Sequence, residues 1–503
     1  MFDEKDFSQT SESSQDEKAK SAVKSTTQMG YFSCTSYVIG NIIGSGIFIT
    51  PTSIVQNVNS VGLSLVIWLL CGLTSIIGSI VYIELATAIP EPGCDFAYIT
   101  YVGWSAIAFG FMWVSTIMTY PASAAVQAQT FGQYIVTGFQ PLFQLSPDWT
   151  VFVEKGLGFL LLFLLTSLNF YSISKVAGRF QVIATVAKVI IVMIIILTGF
   201  YYLIFKGWTQ NLSSPFSGSC WSAGPLGLAF YGGLWSYAGW DVLNYGTPEI
   251  RNPRRIMPLS LMSGIIIVTT IYVLINFSFF VVLTTDEIKN STAIAADFAQ
   301  EALGNFSYAI PFMIAILLIG TLNSNIFCGS RFMYAAARRG HLPKLLSVVN
   351  KASGSPRASL LGQLVCTIVV CFVDINTLIN YVTFVIWSSR GVALTALLWI
   401  RFRRIPVAEG VIRVPLVLIF FFWLITLGLI VLPFIQQPII TLIGMAFVFS
   451  GLIFYFLLVR PRNLPKIIEQ TNDCLAFWTG RLLFSEVDRV ESENAAKDDM
   501  TKL

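Results

Sequence analysis

The sequence predicts an all-α membrane protein of twelve transmembrane helices, arranged as two inverted five-helix repeats with two extra helices. Three observations predict it. Only 12% of the 503 residues are charged and 55% are hydrophobic, whereas a soluble domain carries about 25% charged residues. Apolar runs near the roughly 20 residues that span a bilayer recur along the chain. Basic residues crowd into alternate loops, as in a chain that crosses a membrane repeatedly. So little charge cannot coat soluble domains, and so much apolar surface is incompatible with a disordered chain.

The runs lie at about 32–57, 62–89, 104–137, 152–172, 180–205, 224–246, 257–284, 308–336, 359–374, 377–400, 413–434 and 438–459. The third is long for one perpendicular crossing, which implies tilt. The division is a cytoplasmic disordered tail (1–28), a first repeat (29–206), a second repeat (207–404), helices 11 and 12 (405–466) and a cytoplasmic tail (467–503). The first tail has no apolar stretch, so no cleavable signal peptide is expected.

Charge sets the orientation. The tails 1–28 and 467–503 are acidic, while the part between them holds 13 acids and 23 bases. Seventeen Lys and Arg fall in one set of loops, from Lys175 and Arg179 to Arg460, Arg462 and Lys466. The other set has only Lys155, Lys206 and Lys289. Both termini are therefore expected in the cytoplasm, and the alternation requires an even number of crossings. Sequons at Asn211, Asn290 and Asn305 fall in loops on the expected outer side and are candidate glycosylation sites.

The chemistry is bounded by scarcity. His341 is the only histidine, which excludes a multi-histidine metal site or a histidine-based triad built within one chain. The eight cysteines form no CxxC pair and lie mostly in apolar runs, where a free thiol packs as a small hydrophobe. No enzyme, metal, cofactor or nucleic-acid partner is expected; the lipid bilayer is.

Two runs are interrupted. The first contains Gly44-Ser45-Gly46, followed by Pro51. Small residues there serve either as a helix-packing face or as an unwound segment. Unwinding would aim N–H groups at a carboxylate and leave carbonyls near Ile42 to accept from an ammonium. The sixth run carries Gly232, Gly233, Gly239 and Gly246 among Phe230, Tyr231, Trp235, Tyr237 and Trp240. Two Gly-broken helices at equivalent positions of inverted repeats point to a transporter site at mid-membrane, with the aromatics as lid and pocket.

Charges inside the runs are functional candidates because they are costly in lipid. Lys188 stands deep in the fifth run, where its ammonium could replace a coupling sodium ion. Asp241 follows the second break, with its relation to Lys188 open. Arg390, mid-way along the tenth run, is expected to find a carbonyl or carboxylate. Glu84 is expected to be solvated near the cytoplasmic end of the second run, and Arg331 to snorkel.

The string GNIIGSGIF at 40–48 resembles the first-span signature of the L-type amino-acid transporters, light subunits of heteromeric transporters in the amino acid–polyamine–organocation superfamily. YIELATAIPEPGCDFAYI (82–99), NYGTPEIRNPRRIMPLSL (244–261), SRFMYAAARRGHLPKLL (330–346) and INYVTFVIWSSRGVALTALLWIRFRR (379–404) continue the resemblance in order. It spans roughly residues 30–460 and implies sodium-independent exchange of amino acids at the plasma membrane. It implies that the substrate carboxylate meets the Ser45 and Gly46 amides. Its ammonium would meet carbonyls of Ile42, Trp235 and Ala238. Trp235 would take the place of an external aromatic gate, usually Phe, and Lys188 that of the family's span-5 lysine.

Two departures qualify it. The loop 137–150 lacks the cysteine that heavy-subunit-linked members carry, so a disulfide-linked heavy subunit is not expected. Asp241 and Val242 stand where relatives vary in the side-chain region, and an acid there favours cationic substrates. The leading expectation is exchange of large neutral L-amino acids. The alternatives are cationic or mixed substrates, and a non-transporting sensor or scaffold on the same fold. Finally, Thr501 and Leu503 have the spacing of a C-terminal PDZ ligand, which makes a PDZ scaffold a candidate partner.

Overall fold

The computed structural model describes residues 29–487 except 92, 141–145, 172–173, 246, 248–249, 351–352 and 462–464. Thr501 and Leu503 lie outside the described residues.

Eight helices among the described residues are long and apolar enough to cross a membrane: Val61–Ala88, Trp149–Phe170, Val186–Phe205, Pro253–Val282, Phe306–Arg338, Ile375–Arg403, Leu416–Gln436 and Thr441–Val459. A bent pair, Tyr31–Ile42 and Gly46–Val58, with 49° between its halves, brings the number to nine if it counts as one span. Three expected spans are helical but interrupted or short. The third is Ser105–Val114 and Tyr120–Phe139 joined through a π turn at Ser115–Thr119. The sixth is Ala223–Ser236 followed by turns and a 3-10 segment, Val242–Tyr245. The ninth is Arg357–Val370. The molecule is a multi-pass membrane protein.

Burial sorts the helices into centre and rim. In Val61–Ala88 61% of the apolar window is covered by protein, against 11% in Thr441–Val459, so the latter leaves its side chains to lipid. The two broken segments lie in the centre: Gly46–Val58 packs on Ala223–Ser236, and Tyr31–Ile42 on Pro253–Val282. Small residues permit the close approaches. A Cβ on Gly72 would stand 2.5 Å from Thr269 Oγ1, and one on Gly233 would stand 2.6 Å from Cys71 Sγ.

The sequence reading missed the short elements. The connection 283–308 contains Thr285–Asn290, opened by a capping box between Thr284 and Glu287, and Ile294–Ala302. The expected C-terminal tail begins with a helix, Lys466–Leu482. Past it, Glu486–Val487 pairs antiparallel with Val348–Val349, a two-stranded exception to the all-α expectation.

Glu84 corrects the sequence reading. It is only 2% exposed, not solvated. Arg401 Nε and Nη2 donate to its two oxygens at 2.5 and 2.8 Å, and the Val414 amide donates at 2.8 Å. This bidentate pair ties Val61–Ala88 to the end of Ile375–Arg403. The Arg331 guanidinium lies over the Phe327 ring, 3.2 Å from its centre. Asn290 is exposed, with its amide donating to Asp286 O at 3.0 Å, and Asn211 is half-buried. The Asn305 side chain lies outside the described residues.

Candidate functional site

The first break is real and short. The helix breaks after Ile42: Ile43 is extended, Gly44 bends, and Ser45 is already back in the right-handed helical region ahead of Gly46. The second half-helix restarts at Gly46, with Ser45 O accepting from Phe48 N at 3.0 Å. The amides that head it have no acceptor within their own helix. Ile42, Ser45 and Gly46 are all buried.

Gly46 is needed because Ser236 stands against it. A Cβ there would fall 2.8 Å from Ser236 Cα. Ser236 ends the helix Ala223–Ser236, so the two breaks meet directly. Ser236 Oγ and Thr50 Oγ1 share a hydrogen bond of 2.7 Å, and Thr50 Oγ1 also donates to Gly46 O at 3.1 Å.

A third residue joins the breaks. The Tyr272 hydroxyl lies 2.9 Å from Ile42 O and 3.0 Å from Ser236 O, the terminal carbonyls of the two half-helices. Its ring packs edge-on against Trp68 and Tyr237, with centroids 5.4 and 5.0 Å away. Sequence reasoning missed Tyr272, Ser236 and Thr50. The available signal for Tyr272 was a hydroxyl-bearing ring one turn before Asn276 in a mostly apolar run.

Beyond Ser236 the chain turns through Tyr237–Asp241. Gly239 has φ +98°, a conformation that excludes most side chains. Asn41 Nδ2 donates to Gly239 O at 3.3 Å, a second link between the broken segments. Trp235 and Ala238 are half-buried and joined by the Ala238 N–H to Trp235 O bond of 3.0 Å. Val242 is half-buried in the 3-10 turn that follows.

The intramembrane charges find different partners. Lys188 is 6% exposed, and its Nζ donates to Gly40 O at 3.3 Å, in the last turn before the first break. A cation there faces the negative end of the half-helix dipole. Asp241 does not face Lys188. Its Oδ2 accepts from Arg390 Nη2 at 3.0 Å, with both side chains at least nine-tenths buried. Arg390 also lies over Trp240 and Trp387, 4.5 and 5.1 Å from their ring centres.

The pair continues into a polar cluster. Tyr82 OH donates to Asp95 Oδ1 at 2.7 Å. Asp95 opens the short helix Asp95–Tyr101 between the second and third spans. Burial pushes its carboxyl up to about 6, opposed by the Arg390 charge and reinforced by Asp241. No group of three or more His, Cys, Asp or Glu among the described residues could hold a metal ion.

This geometry joins unwound backbone at two breaks to a fixed cation, and it suits a small zwitterion held by main-chain groups. Comparison with known proteins identifies the family. Residues 29–459 match the family model described as amino acid permease. Amino acid transporter protein 6 of Caenorhabditis elegans is 44% identical over 441 residues, covering 87% of this chain and 84% of that protein. The human b(0,+)-type amino acid transporter 1 is 35% identical over 449 residues (89% and 90%). The human cystine/glutamate transporter is 35% identical over 432 residues (86% and 85%). The relatives are transporters, not enzymes, and the chain belongs to the amino acid permease family, among the light-subunit transporters of the heteromeric amino-acid transporter group.

Proposed function

We propose that this transporter exchanges large neutral L-amino acids across the plasma membrane, without sodium, by alternating access. The observation that carries the reading is Lys188 donating to Gly40 O beside the first break. A fixed ammonium there supplies the charge that a bound sodium ion would otherwise bring. The proposed chain has twelve crossings in a five-plus-five inverted repeat and both termini in the cytoplasm.

The substrate carboxylate takes the amides of Ser45 and Gly46, and its ammonium the carbonyls of Ile42, Trp235 and Ala238. In the closed arrangement Tyr272 holds Ile42 O, so the arriving ammonium competes for a carbonyl already bridged to Ser236. Opening and closing then means separating the Gly46–Ser236 contact and remaking it. Trp235 is the outer lid. Trp235→Ala should lower the exchange rate about tenfold, as the loss of a well-packed aromatic anchor implies, while Trp235→Phe keeps much of it. Equal rates in both would return Trp235 to core packing.

Labelled leucine uptake, competed by each standard amino acid with sodium or choline, tests the substrate class. External substrate should accelerate efflux of preloaded label. Uptake lost in choline would overturn sodium independence, and no efflux at all would favour the sensor.

The cationic reading rested on a free acid at Asp241. Pairing with Arg390 opposes it, because the carboxylate is already neutralised. Best competition by arginine would restore it. A heavy-subunit partner, if used, is held without a disulfide because 137–150 has no cysteine. A large mass on non-reducing gels that collapses on reduction would refute this. Thr501 and Leu503 are proposed to bind a PDZ scaffold, tested by whether Thr501→Ala abolishes capture by a PDZ domain.

A further inference from the structure

The helix Lys466–Leu482 presents two unlike faces. Asn472, Ala476 and Gly480, spaced by four, form the docked face. Ala476 is 3% exposed, a Cβ on Gly480 would press 2.8 Å from Ser485 O, and Asn472 Oδ1 accepts from the Lys344 amide at 2.9 Å. Asp473 is on this side too, with its carboxylate 2.7 Å from Lys344 Nζ.

Opposite lie Ile467, Leu475, Trp478 and Leu482. At 100° per residue they fall within an arc of about 80°. They are 77%, 48%, 57% and 75% exposed, and Phe484 beyond them is 81% exposed. A row of large apolar side chains facing water would be an aggregation liability, so such a face marks an interaction surface.

The chain supplies the occupant. The last span runs to Val459, and the helix starts seven residues later. Seven extended residues reach at most about 24 Å, so the start of the helix stays close to the membrane face. Arg481 stands about 40° from the edge of the apolar row and Lys466 adjoins Ile467 at the start of the helix, both exposed, while Asp473 turns its carboxylate to Lys344. Arg481 stacks on Phe477, 5.0 Å from the ring centre. Cations bordering a Trp-containing apolar stripe match an anionic lipid surface.

We propose that the exposed face of Lys466–Leu482 seats in the cytoplasmic leaflet, and that Lys466 and Arg481 hold anionic headgroups. The helix then clamps the Lys344–Ser347 turn to the membrane surface, through the contacts of Asn472 and Asp473. The cytoplasmic side rests on the orientation proposed above.

Cys474 is exposed and flanks this face, which gives a native labelling position. The full-length transporter, carrying an NBD fluorophore on Cys474, is reconstituted in phosphatidylcholine vesicles with or without phosphatidylserine. Background from other thiols is removed by subtracting Cys474→Ser protein. Doxyl-labelled lipid should quench the signal several-fold more than aqueous iodide, and more with phosphatidylserine present. Leu475→Glu with Trp478→Glu should reverse the preference, and Lys466→Gln with Arg481→Gln should remove the phosphatidylserine dependence. Quenching by iodide at least as strong as by doxyl lipid would overturn the proposal, since the face is then solvated. Protection from both quenchers would also overturn it, in favour of a protein partner. The orientation is read separately, from antibody access to a tag after Leu503 in intact cells. An external tag would refute the cytoplasmic side while leaving the lipid contact standing.

Discussion

Lys188 and Arg390 are both buried cations inside spans, and each holds one of the two broken segments. Lys188 donates to a main-chain carbonyl just before the first break. Arg390 donates to a carboxylate just after the second. On the proposed repeat, spans 5 and 10 are equivalent, as are spans 1 and 6, so the two cations are counterparts. Their partners make them different devices. The carbonyl carries no net charge, so it does not cancel the ammonium that the proposed fixed-cation role requires of Lys188. The carboxylate cancels Arg390, whose work is to hold the chain past Gly239 in place. On the proposed mechanism, one half of the molecule keeps a charge for function and the other uses a charge for shape.

The sharpest way to break this comparison is to remove Arg390. Arg390→Ala leaves Asp241 buried and uncompensated, which costs about 3–5 kcal/mol. A large fall in thermal stability of the detergent-solubilised protein is expected. Arg390→Gln combined with Asp241→Asn should recover most of it, because neither residue then carries charge. Failure of the double variant to recover would mean that Arg390 acts through the Trp240 and Trp387 rings.

Lys188→Ala should do the reverse. A hydrogen bond from a charged group is worth about 1.5–3 kcal/mol, so exchange should fall roughly 10- to 100-fold while the amount of folded protein at the surface changes little. Unchanged exchange would remove the fixed-cation role. A stability loss as large as that of Arg390→Ala would erase the contrast.

Tyr272→Phe probes the seam between the halves. It deletes the hydroxyl on Ile42 O and Ser236 O and keeps the ring. The loss of one buried hydrogen bond is worth about 1 kcal/mol, or roughly a fivefold change in apparent affinity with the maximal rate less affected. A change in rate alone would place Tyr272 in the closing motion, not in the substrate's competition for Ile42 O.

Much of this was legible in the chain because its signals are strong and local. Gly44-Ser45-Gly46 predicts the first break, and Lys188 and Arg390 are conspicuous in apolar runs. Their partners were not legible. Which group a buried cation meets depends on helix rotation and depth, and the sequence reading left Asp241 free to face Lys188. Glu84 was misread for the same reason: depth at the end of a span cannot be counted from hydropathy when Arg401, more than three hundred positions away, arrives to pair with it. Tyr272 was hidden because an aromatic in an apolar span looks like packing. The helix Lys466–Leu482 was hidden because its apolar residues come in short groups broken by polar and charged ones, far short of the length of a span.

The smallest expected effect concerns pH, and it would sharpen the second half of the comparison. Asp95 lies outside the spans, with its carboxyl pushed up to about 6, chiefly by burial. Tyr82, Cys94, Tyr98, Asp241, Tyr245 and Arg390 are titratable or charged groups that face it. Below pH 6 the folded protein holds a proton on Asp95, and the cluster is the neutral sum of Asp241 and Arg390. Above it, Asp95 ionises beside Asp241 and the cluster carries one negative charge. A carboxyl raised in the folded state binds its proton more tightly than in the unfolded chain. Its contribution to stability is therefore present at low pH and lost as pH rises through about 6. Thermal stability in detergent should show a shallow step there, falling with rising pH, and Asp95→Asn should remove the step and keep the low-pH value throughout. Exchange should change little across the same range, because Asp95 is not among the groups proposed to hold the substrate. A step that persists in Asp95→Asn would assign it elsewhere. A step of opposite sign would show that Arg390 dominates burial at Asp95, so that the guanidinium serves two carboxylates and the second half keeps a working charge as the first half does.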